Sequence, residues 1–285
     1  MHSLPVYVTD LELCVEHALA EDIGDGDVTA LLVPAEQRAS ARVITREAAV
    51  ICGRPWVDAV FSRIDPNIRI EWRVADGQAA EADEVLLTLE GAARSLLTGE
   101  RAALNFLQTL SGTATAVAEY VRAVDGTGCR IVDTRKTLPG LRNAQKYAVL
   151  CGGGANHRIG LYDGILIKEN HIAAAGGIAA AIERARALDA NVPLMTEAET
   201  LDEARAALAA DVDLLLVDEF SGEMLAEAVR LTRDHRARGG RTVIEYSGGA
   251  TLATVRTLAE TGVDRISIGA ITKHVRAVDL SMRLT

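Results

Sequence analysis

The second half of the chain alternates short apolar runs with stretches of helical periodicity. The apolar runs predict buried strands at 130–133, 164–167, 193–196, 213–217, 242–245 and 265–268. The helical stretches that separate most of them lie at 176–189, 200–210, 221–237 and 250–261. Near-continuous apolar strands that alternate with helices are typical of a parallel α/β sheet. This half is therefore predicted to form an open doubly wound sheet or an α/β barrel.

The first half of the chain has a different pattern. A helix is predicted over 9–20 and two more over 94–110 and 113–124, and the strands between them are predicted at 41–45, 48–52, 69–74 and 85–89. Clustered strands flanked by helices favour a separate α+β domain. We place the boundary at residues 111–115, which gives an α+β domain over 1–112 and the α/β domain over 113–272.

Composition narrows the class of protein. The 285 residues are 49% apolar and 25% charged, as in an ordinary globular protein of one or two domains. The four cysteines lack the spacing of a zinc site or a disulfide framework, which favours a reducing compartment. The N-terminal residues lack a signal-peptide pattern, and no apolar stretch reaches the length of a membrane helix, about 18 residues. We therefore expect a soluble, cytoplasmic protein.

Charge is unevenly distributed along the chain. The net charge of −10 argues against nonspecific binding of nucleic acid. Residues 130–168 depart from this balance, with seven Lys or Arg against two Asp. Such a segment is either a solvated loop region or a contact with the protein's own acidic surface, or it forms a pocket for a small, highly anionic substrate. Charge alone leaves both alternatives open.

Polar or glycine residues follow each predicted strand of the second half. Ligands bind at the carboxyl ends of the strands in parallel α/β sheets, so these residues are expected to converge on one site. Cations follow the early strands, carboxylates the middle strands, and Ser/Gly turns the last strands. The residues are Arg135, Lys136, Lys168, Glu197, Asp218, Ser247, Gly248, Gly249 and Gly269.

Each group in this set suits a different ligand. Glycine turns after late strands bind phosphate in barrels. Paired carboxylates suit Mg²⁺ or sugar hydroxyls, and clustered cations suit carboxylates or pyrophosphate. The predicted ligands are therefore a phosphorylated sugar, a divalent cation and a second, multiply anionic molecule. In the basic segment His157, beside Arg158, is expected to bind a carboxylate. Arg101 alone would be a solvated arginine or a partner of Glu100.

Residues 133–171 (DTRKTLPGLRNAQKYAVLCGGGANHRIGLYDGILIKENH), 96–112, 261–283 and the segment EDIGDGDVT together resemble one known family. They are similar to the quinolinate phosphoribosyltransferases, or nicotinate-nucleotide pyrophosphorylases (carboxylating), over nearly the whole chain. The resemblance implies an N-terminal α+β sandwich-like domain and an incomplete α/β barrel of about seven strands, with a C-terminal tail, 273–285, returning to the first domain. It also implies transfer of phosphoribose from phosphoribosyl pyrophosphate to quinolinate with Mg²⁺, giving nicotinate mononucleotide, CO₂ and pyrophosphate in NAD biosynthesis.

The resemblance further implies a role for each matching position. The cations that would hold the quinolinate carboxylates are Arg101, Arg135, His157, Arg158 and Lys168, with Arg101 supplied by the neighbouring subunit of a dimer. The residues that would bind the 5′-phosphate are Ser247, Gly248, Gly249, Gly269 and Ala270. Thr134 belongs to the substrate-binding set. The predicted catalytic residues are Lys136, Lys168, Glu197 and Asp218. The first two would face the pyrophosphate, and the two carboxylates would hold the ribose hydroxyls and Mg²⁺. A dimer, or a hexamer built from dimers, is implied.

Three positions depart from the family pattern. Met195 replaces an acidic residue, Glu219 an asparagine and Tyr246 a small residue. Our hypothesis is that Glu219 tunes the affinity for Mg²⁺.

Two other functions compete with this one. The first is a phosphoribosyltransferase for nicotinate or another acid without decarboxylation, and the density of cations favours a dicarboxylate over it. The second is a non-catalytic barrel that senses an anionic metabolite, which would tolerate loss of Glu197 or Asp218. Release of CO₂ distinguishes the three.

Overall fold

The computed structural model describes residues 4–285, so the first three residues of the predicted α+β domain lie outside it. The chain divides into two compact units. The first unit contains the residues up to Ala118 together with Lys136–Gly154 and Ala270–Thr285. The second unit contains Glu119–Arg135 and Ala155–Gly269.

The regular elements are numbered in chain order. The strands are β1 (Arg38–Thr45), β2 (Ala49–Val50), β3 (Arg69–Trp72), β4 (Ala79–Ala80), β5 (Val85–Ala92), β6 (Arg130–Val132), β7 (Ile165–Ile167), β8 (Leu194–Ala198), β9 (Leu214–Asp218), β10 (Val243–Ser247), β11 (Arg265–Ser267) and β12 (Leu280–Leu284). The α-helices are α1 (Leu11–Ile23), α2 (Arg54–Ile64), α3 (Ala93–Ala123), α4 (Arg142–Cys151), α5 (Glu169–Ala175), α6 (Ile178–Ala187), α7 (Leu201–Ala209), α8 (Gly222–Ala237), α9 (Val255–Glu260) and α10 (Ala270–Lys273).

The first unit is built on an antiparallel sheet in the order β12-β1-β5-β3. Strand β1 pairs with both β5 and β12, so the last strand of the chain completes the sheet of the N-terminal region. The core packs apolar residues of this sheet and of the helices into one cluster, in which Trp56, Phe61 and Leu107 are fully buried. Burial of such large side chains is the main favourable contribution to folding.

A single helix, α3, occupies the region where two helices were predicted. The predicted break at Ser111-Gly112-Thr113 is wrong because these residues serve packing. A Cβ atom on Gly112 would collide with the carbonyl oxygen of Arg276, so glycine allows a close backbone approach there. The Ser111 hydroxyl accepts a hydrogen bond from the Cys52 N–H at 3.0 Å. The helix therefore continues through residues that resemble a turn in the sequence.

The second unit contains a parallel sheet in the order β6-β11-β10-β9-β8-β7. All neighbouring pairs are parallel, and all six predicted strands are present. One parallel bridge between Val132 and Ala155 adjoins β6 at the position of a further strand. Because β6 and β7 are at opposite edges of the sheet, this arrangement is an incomplete α/β barrel.

Helices alternate with these strands as predicted, and their starts have identifiable causes. The Thr200 hydroxyl accepts the N–H of Glu203 at 3.2 Å, and the Glu203 carboxylate accepts the N–H of Thr200, which forms a capping box before α7. Helices α2, α4, α5 and α10 were not predicted. Within residues 4–285, no helix has both the length and the apolar character needed to cross a bilayer.

Candidate active site

The predicted strand-end residues of the second unit lie along one edge of its sheet. Lys168 follows β7 directly, Glu197 lies near the end of β8, and Asp218 and Ser247 are the last residues of β9 and β10. The register places Asp218 beside Ser247. Thr134 and Gly269 follow β6 and β11. Because all these strands are parallel, their carboxyl ends lie on the same side, and this is where ligands bind in α/β sheets.

Lys168 and Glu197 form an ion pair across neighbouring strands. The Lys168 ammonium donates to Glu197 Oε2 at 2.6 Å, and the Glu197 carboxyl is mostly buried while the lysine side chain is half-exposed. The backbone N–H of Lys168 donates to Nδ1 of His171 at 3.0 Å, which fixes the start of α5. His171 therefore has a structural role, and the lysine is oriented both by its backbone and by its ion pair.

Two further carboxylates accompany Glu197. One oxygen from each of Glu169, Glu197 and Glu199 lies within 4.8 Å of the others, and Asp218 is outside this group. Carboxylate oxygens are the ligands that hard divalent cations such as Mg²⁺ prefer, so the donor set fits the predicted metal. The sequence singled out Glu197 and Asp218 and missed Glu169, which is adjacent to Lys168 in the K-E-N-H segment and was obscured by the cation.

Asp133 organises the basic segment from a fully buried position after β6. Its Oδ1 accepts the N–H of His157 at 2.8 Å, and its Oδ2 accepts from the Asn156 side chain at 2.6 Å. Nδ1 of His157 accepts the N–H of Arg158 at 2.7 Å. The neutral imidazole therefore carries its hydrogen on Nε2. The sequence showed Asp133 only as an acid among cations, and its role as an anchor was missed.

Glu245 is a second buried carboxylate that sequence reasoning missed. It lies in the middle of β10, where its Oε2 accepts a hydrogen bond from Nε of Arg265. Its Oε1 is 3.7 Å from Nε2 of His157 and has no hydrogen-bond partner within residues 4–285. Burial raises the pKa of Glu245, and Arg265 opposes that shift. The sequence contained one sign of this role, because Glu245 is a charged residue inside the apolar run of β10.

Arg158 is held close to a second guanidinium. Burial and the positive charge of Arg135 lower the pKa of Arg158, and Asp163 counteracts them in part. The Arg158 guanidinium donates to the carbonyl of Gly164 at 3.1 Å. The Asp163 carboxylate accepts the N–H of Ile159 at 2.7 Å, which shapes the loop between them. Two cations kept together in a half-buried position are the electrostatic complement of a ligand with more than one negative charge.

The glycine turn after β10 interlocks with the turn after β9. Gly248 has φ of +114°, and a Cβ atom on it would collide with Glu219. The N–H of Glu219 donates to the carbonyl of Ser247 at 2.8 Å. Burial raises the pKa of Tyr246, and the carboxylates of Glu219 and Asp218 add to the shift. Two of the departures from the family pattern therefore influence each other at these turns.

The third departure, Met195, belongs to the interior of the sheet. It packs with Leu214 and Leu216 in a buried apolar cluster, and its methyl group would meet a Cβ atom on Gly164. Its side chain therefore fills space and offers no carboxylate. The remaining predicted site residues belong to the first unit, where Arg101 is exposed on α3, Lys136 follows the second unit's Arg135 in the chain, and Ala270 begins α10. The roles assigned to individual residues stay predictions.

Comparisons with known proteins agree with this architecture. The family model for the quinolinate phosphoribosyl transferase N-terminal domain matches residues 27–111, and that for the C-terminal domain matches residues 113–283. The chain is 40% identical over 276 residues to a probable nicotinate-nucleotide pyrophosphorylase (carboxylating) of Bacillus subtilis, covering 96% of this chain and 93% of the relative. It is 41% identical to the corresponding protein of Mycobacterium leprae over 277 residues, 95% of each chain.

A solved structure gives the same result in three dimensions. The nicotinate-nucleotide pyrophosphorylase from Francisella tularensis superposes with a TM-score of 0.93 at 45% identity, covering 99% of this chain and 98% of that one. Both family models and the full-length relatives therefore agree, and the chain belongs to the quinolinate phosphoribosyltransferase family.

Proposed function

We propose that this chain transfers phosphoribose from phosphoribosyl pyrophosphate to quinolinate and releases CO₂, pyrophosphate and nicotinate mononucleotide. The relatives named as nicotinate-nucleotide pyrophosphorylases (carboxylating) support this reaction. The observation in the structure that supports it most is the Arg158 guanidinium, which is held by the Gly164 carbonyl next to His157 and whose pKa is lowered by burial and by the charge of the nearby Arg135. Together these groups offer a cationic site that suits two carboxylates on one small ring better than a single carboxylate.

The dicarboxylate would be held by residues whose orientation is already fixed. Asp133 fixes the backbone at His157, and Nδ1 of the imidazole accepts the N–H of Arg158. Arg158 is held by the Gly164 carbonyl. Arg135 and Lys168 complete the set in this unit. Fixed donors need little reorganisation when the substrate binds, which is the main source of rate enhancement in such sites.

The chemistry on the acceptor ring needs positioning more than acid or base groups. The pyridine nitrogen attacks C1 of the ribose as the bond from C1 to the pyrophosphate oxygen breaks. The ring nitrogen is then cationic, so it can stabilise the electron pair left on the adjacent ring carbon when the 2-carboxylate departs as CO₂. A proton then adds to that carbon. The cations that hold the carboxylates must bind them without stabilising the departing group too strongly.

The phosphoribosyl side would use the other predicted residues. Glu197 and Asp218 are proposed to hold the ribose hydroxyls, and Lys136 and Lys168 to face the pyrophosphate. Turns Ser247–Gly249 and Gly269–Ala270 offer backbone N–H groups to the 5′-phosphate. Mg²⁺ would be held by Glu197 with Glu169 and Glu199, and Asp218, which is outside this group, would hold a ribose hydroxyl. When bound, the metal ion would neutralise charge on the leaving pyrophosphate.

Assembly and location are part of the same proposal. We propose a homodimer, which could assemble further into a hexamer, with Arg101 reaching the site of the neighbouring subunit. Arg101 is exposed on α3, which is compatible with such a contact. A cytoplasmic location agrees with the unpaired thiols of all four cysteines.

The decisive experiment measures CO₂ released from quinolinate labelled at its 2-carboxylate. Release that requires phosphoribosyl pyrophosphate and Mg²⁺ would support the proposal. Loss of that release in the Arg135→Ala/Lys136→Ala double variant, with the fold retained, would support the assigned site. Nucleotide formation from nicotinate without release from quinolinate would favour the non-decarboxylating transferase. Tight quinolinate binding without turnover would favour a metabolite sensor.

A further inference from the structure

A buried polar network in the first unit centres on Gln145 of α4. This side chain is fully buried, and each end of its amide is used. Its Oε1 accepts the N–H of Leu138 at 2.8 Å, and its Nε2 donates to the carbonyl of Thr272 at 2.8 Å. Nε2 also lies 3.4 Å from the hydroxyl of Thr113. The amide thus joins α3, α10 and the segment that precedes α4.

Thr272 extends the network to a predicted catalytic residue. Its side chain is fully buried, and its hydroxyl donates to the carbonyl oxygen of Lys136 at 2.8 Å. Lys136 is therefore tied by its own backbone, and Leu138 is tied two residues later. Ala270, the first residue of α10, lies on the same short helix as Thr272.

The two segments need these side chains because they have little regular structure. Helix α10 has four residues, far below the length of a helix that is stable alone, and residues 136–141 precede the first turn of α4. Buried backbone groups outside regular structure must be satisfied by side chains. An amide is suited to this position because it accepts from an N–H and donates to a carbonyl at once. A carboxylate lacks the donor and an aliphatic side chain lacks both.

We propose that Gln145, acting with Thr272, is a positioning residue that fixes the backbone of Lys136 and the start of α10 for phosphoribosyl transfer. The proposal rests on the function proposed above, in which Lys136 faces the pyrophosphate and Ala270 the 5′-phosphate. These are the two ends of one substrate. Gln145 therefore sets the spacing between both ends of phosphoribosyl pyrophosphate without touching it, and its loss should affect this substrate more than quinolinate.

The test compares Thr272→Val with Thr272→Ser. Valine removes the hydroxyl that holds Lys136 and preserves the volume, whereas serine keeps the hydroxyl. We expect Thr272→Val to raise the KM for phosphoribosyl pyrophosphate or to lower kcat roughly 10-fold to 100-fold, because small misplacements of positioned groups have effects of this size. The Kd of Thr272→Val for quinolinate alone should stay unchanged. The Thr272→Ser variant, which keeps the hydroxyl, should retain the activity of the wild type. Gln145→Glu should have the same signature as Thr272→Val, since its carboxylate cannot donate to the Thr272 carbonyl.

A matched control comes from the second unit. Thr232 of α8 is also buried, and its hydroxyl donates to the Ala228 carbonyl at 2.9 Å. Thr232→Val should lower the Tm without changing the kinetic constants of the folded enzyme. If Thr272→Val does the same, or if Thr272→Ser does not retain activity while folded, the positioning role is overturned. Absence of CO₂ release by the wild-type chain would instead refute the proposed function, so the two failures are distinguishable.

Discussion

Two clusters in this protein each contain three side chains that could ligate a metal, and their surroundings differ. In the second unit Glu169, Glu197 and Glu199 bring their oxygens together at the ends of the strands, with only Glu197 buried. In the first unit Cys52, Asp76 and Cys151 are equally close, and all three are buried. Proximity of potential ligands therefore does not identify a functional site.

The buried cluster is committed to the fold. Oδ1 of Asp76 accepts the N–H groups of Gly53 and Arg54 at 3.1 and 3.2 Å, which caps α2, and Oδ2 accepts the Tyr147 hydroxyl at 2.8 Å. Burial and the neighbouring Cys151 raise the pKa of Cys52, so the thiol stays protonated. A protonated thiol and a saturated carboxylate are poor metal ligands. The strand-end cluster differs because two of its carboxylates, Glu169 and Glu199, are exposed and the third, Glu197, is paired with Lys168.

The largest expected effect follows from breaking the strand-end cluster. Glu197→Gln removes the charge that pairs with Lys168 and contributes to the proposed metal site. We expect kcat/KM for phosphoribosyl pyrophosphate to fall roughly 100-fold or more, as when one preorganised electrostatic group is removed. Stability should change by about 1 kcal/mol or less, because the lysine is half-exposed and such pairs contribute little. Steady-state kinetics and denaturant unfolding measure the two effects.

The control for this variant is Glu227→Gln. Glu227 pairs with Arg230 on α8 at 2.8 Å, outside the strand-end cluster. It should leave the kinetics unchanged. Equal activity of both variants would remove Glu197 from the site.

Breaking the buried cluster should lower the stability of the protein strongly and leave its activity nearly unchanged. Asp76→Ala leaves two backbone N–H groups and a buried tyrosine hydroxyl without their acceptor, so unfolding free energy should fall by about 3 kcal/mol. Asp58→Ala, which loses one hydrogen bond from the Trp72 indole, serves as a control and should cost about 1 kcal/mol. The kinetic constants of the folded Asp76→Ala enzyme should match wild type. A selective loss of activity at unchanged stability would contradict a structural role.

The carboxyl of Asp76 should also make the free energy of unfolding depend on pH. Burial raises the pKa of Asp76, and its hydrogen bonds oppose the shift only in part. A raised pKa in the folded state means that the carboxyl favours folding in its protonated form, and wild type loses this contribution as the pH rises through the folded-state pKa. Asp76→Asn does not titrate, so its stability relative to wild type should increase from about pH 4 to about pH 7. Denaturant midpoints at both pH values measure the change; a constant difference would mean that Asp76 is not desolvated.

The sequence predicts the parallel sheet well because each strand is a near-continuous apolar run, and it predicts the strand-end residues because the chain direction determines at which end of the strands they lie. It fails where a side chain acts through distant partners. Gln145 and Thr272 are 127 positions apart, and Glu245 gains meaning only when His157 is placed near it. The prediction of a helix break at Gly112 was wrong for the same reason, because the local sequence does not show that the backbone of Arg276 approaches this glycine. Residue types at the strand ends can be read from the local sequence, whereas contacts that position a side chain through a distant partner cannot.

The smallest expected effect concerns Glu219, at the turn beside the strand-end cluster. Its φ of +54° lies in the left-handed region, which is costly for glutamate and which asparagine adopts more readily. Glu219→Asn should keep the N–H bond to Ser247 and raise the free energy of unfolding by about 0.5 kcal/mol. Asp189→Asn is a suitable control because Asp189 also has positive φ and aspartate already tolerates it.

The same variant tests whether this position serves the fold or the metal. If Glu219 tunes Mg²⁺ affinity, as hypothesised from the sequence, the Mg²⁺ concentration for half-maximal CO₂ release should differ between Glu219→Asn and wild type. Equal Mg²⁺ dependence, together with the gain in stability, would count against that hypothesis. Because φ is a property of the backbone and Mg²⁺ binding of the carboxylate, the two measurements separate the two roles of one residue. If the Mg²⁺ dependence does differ, Glu219 is a strained residue that is kept for metal binding, whereas Asp76, whose carboxylate is fully used in hydrogen bonds, is kept for the fold.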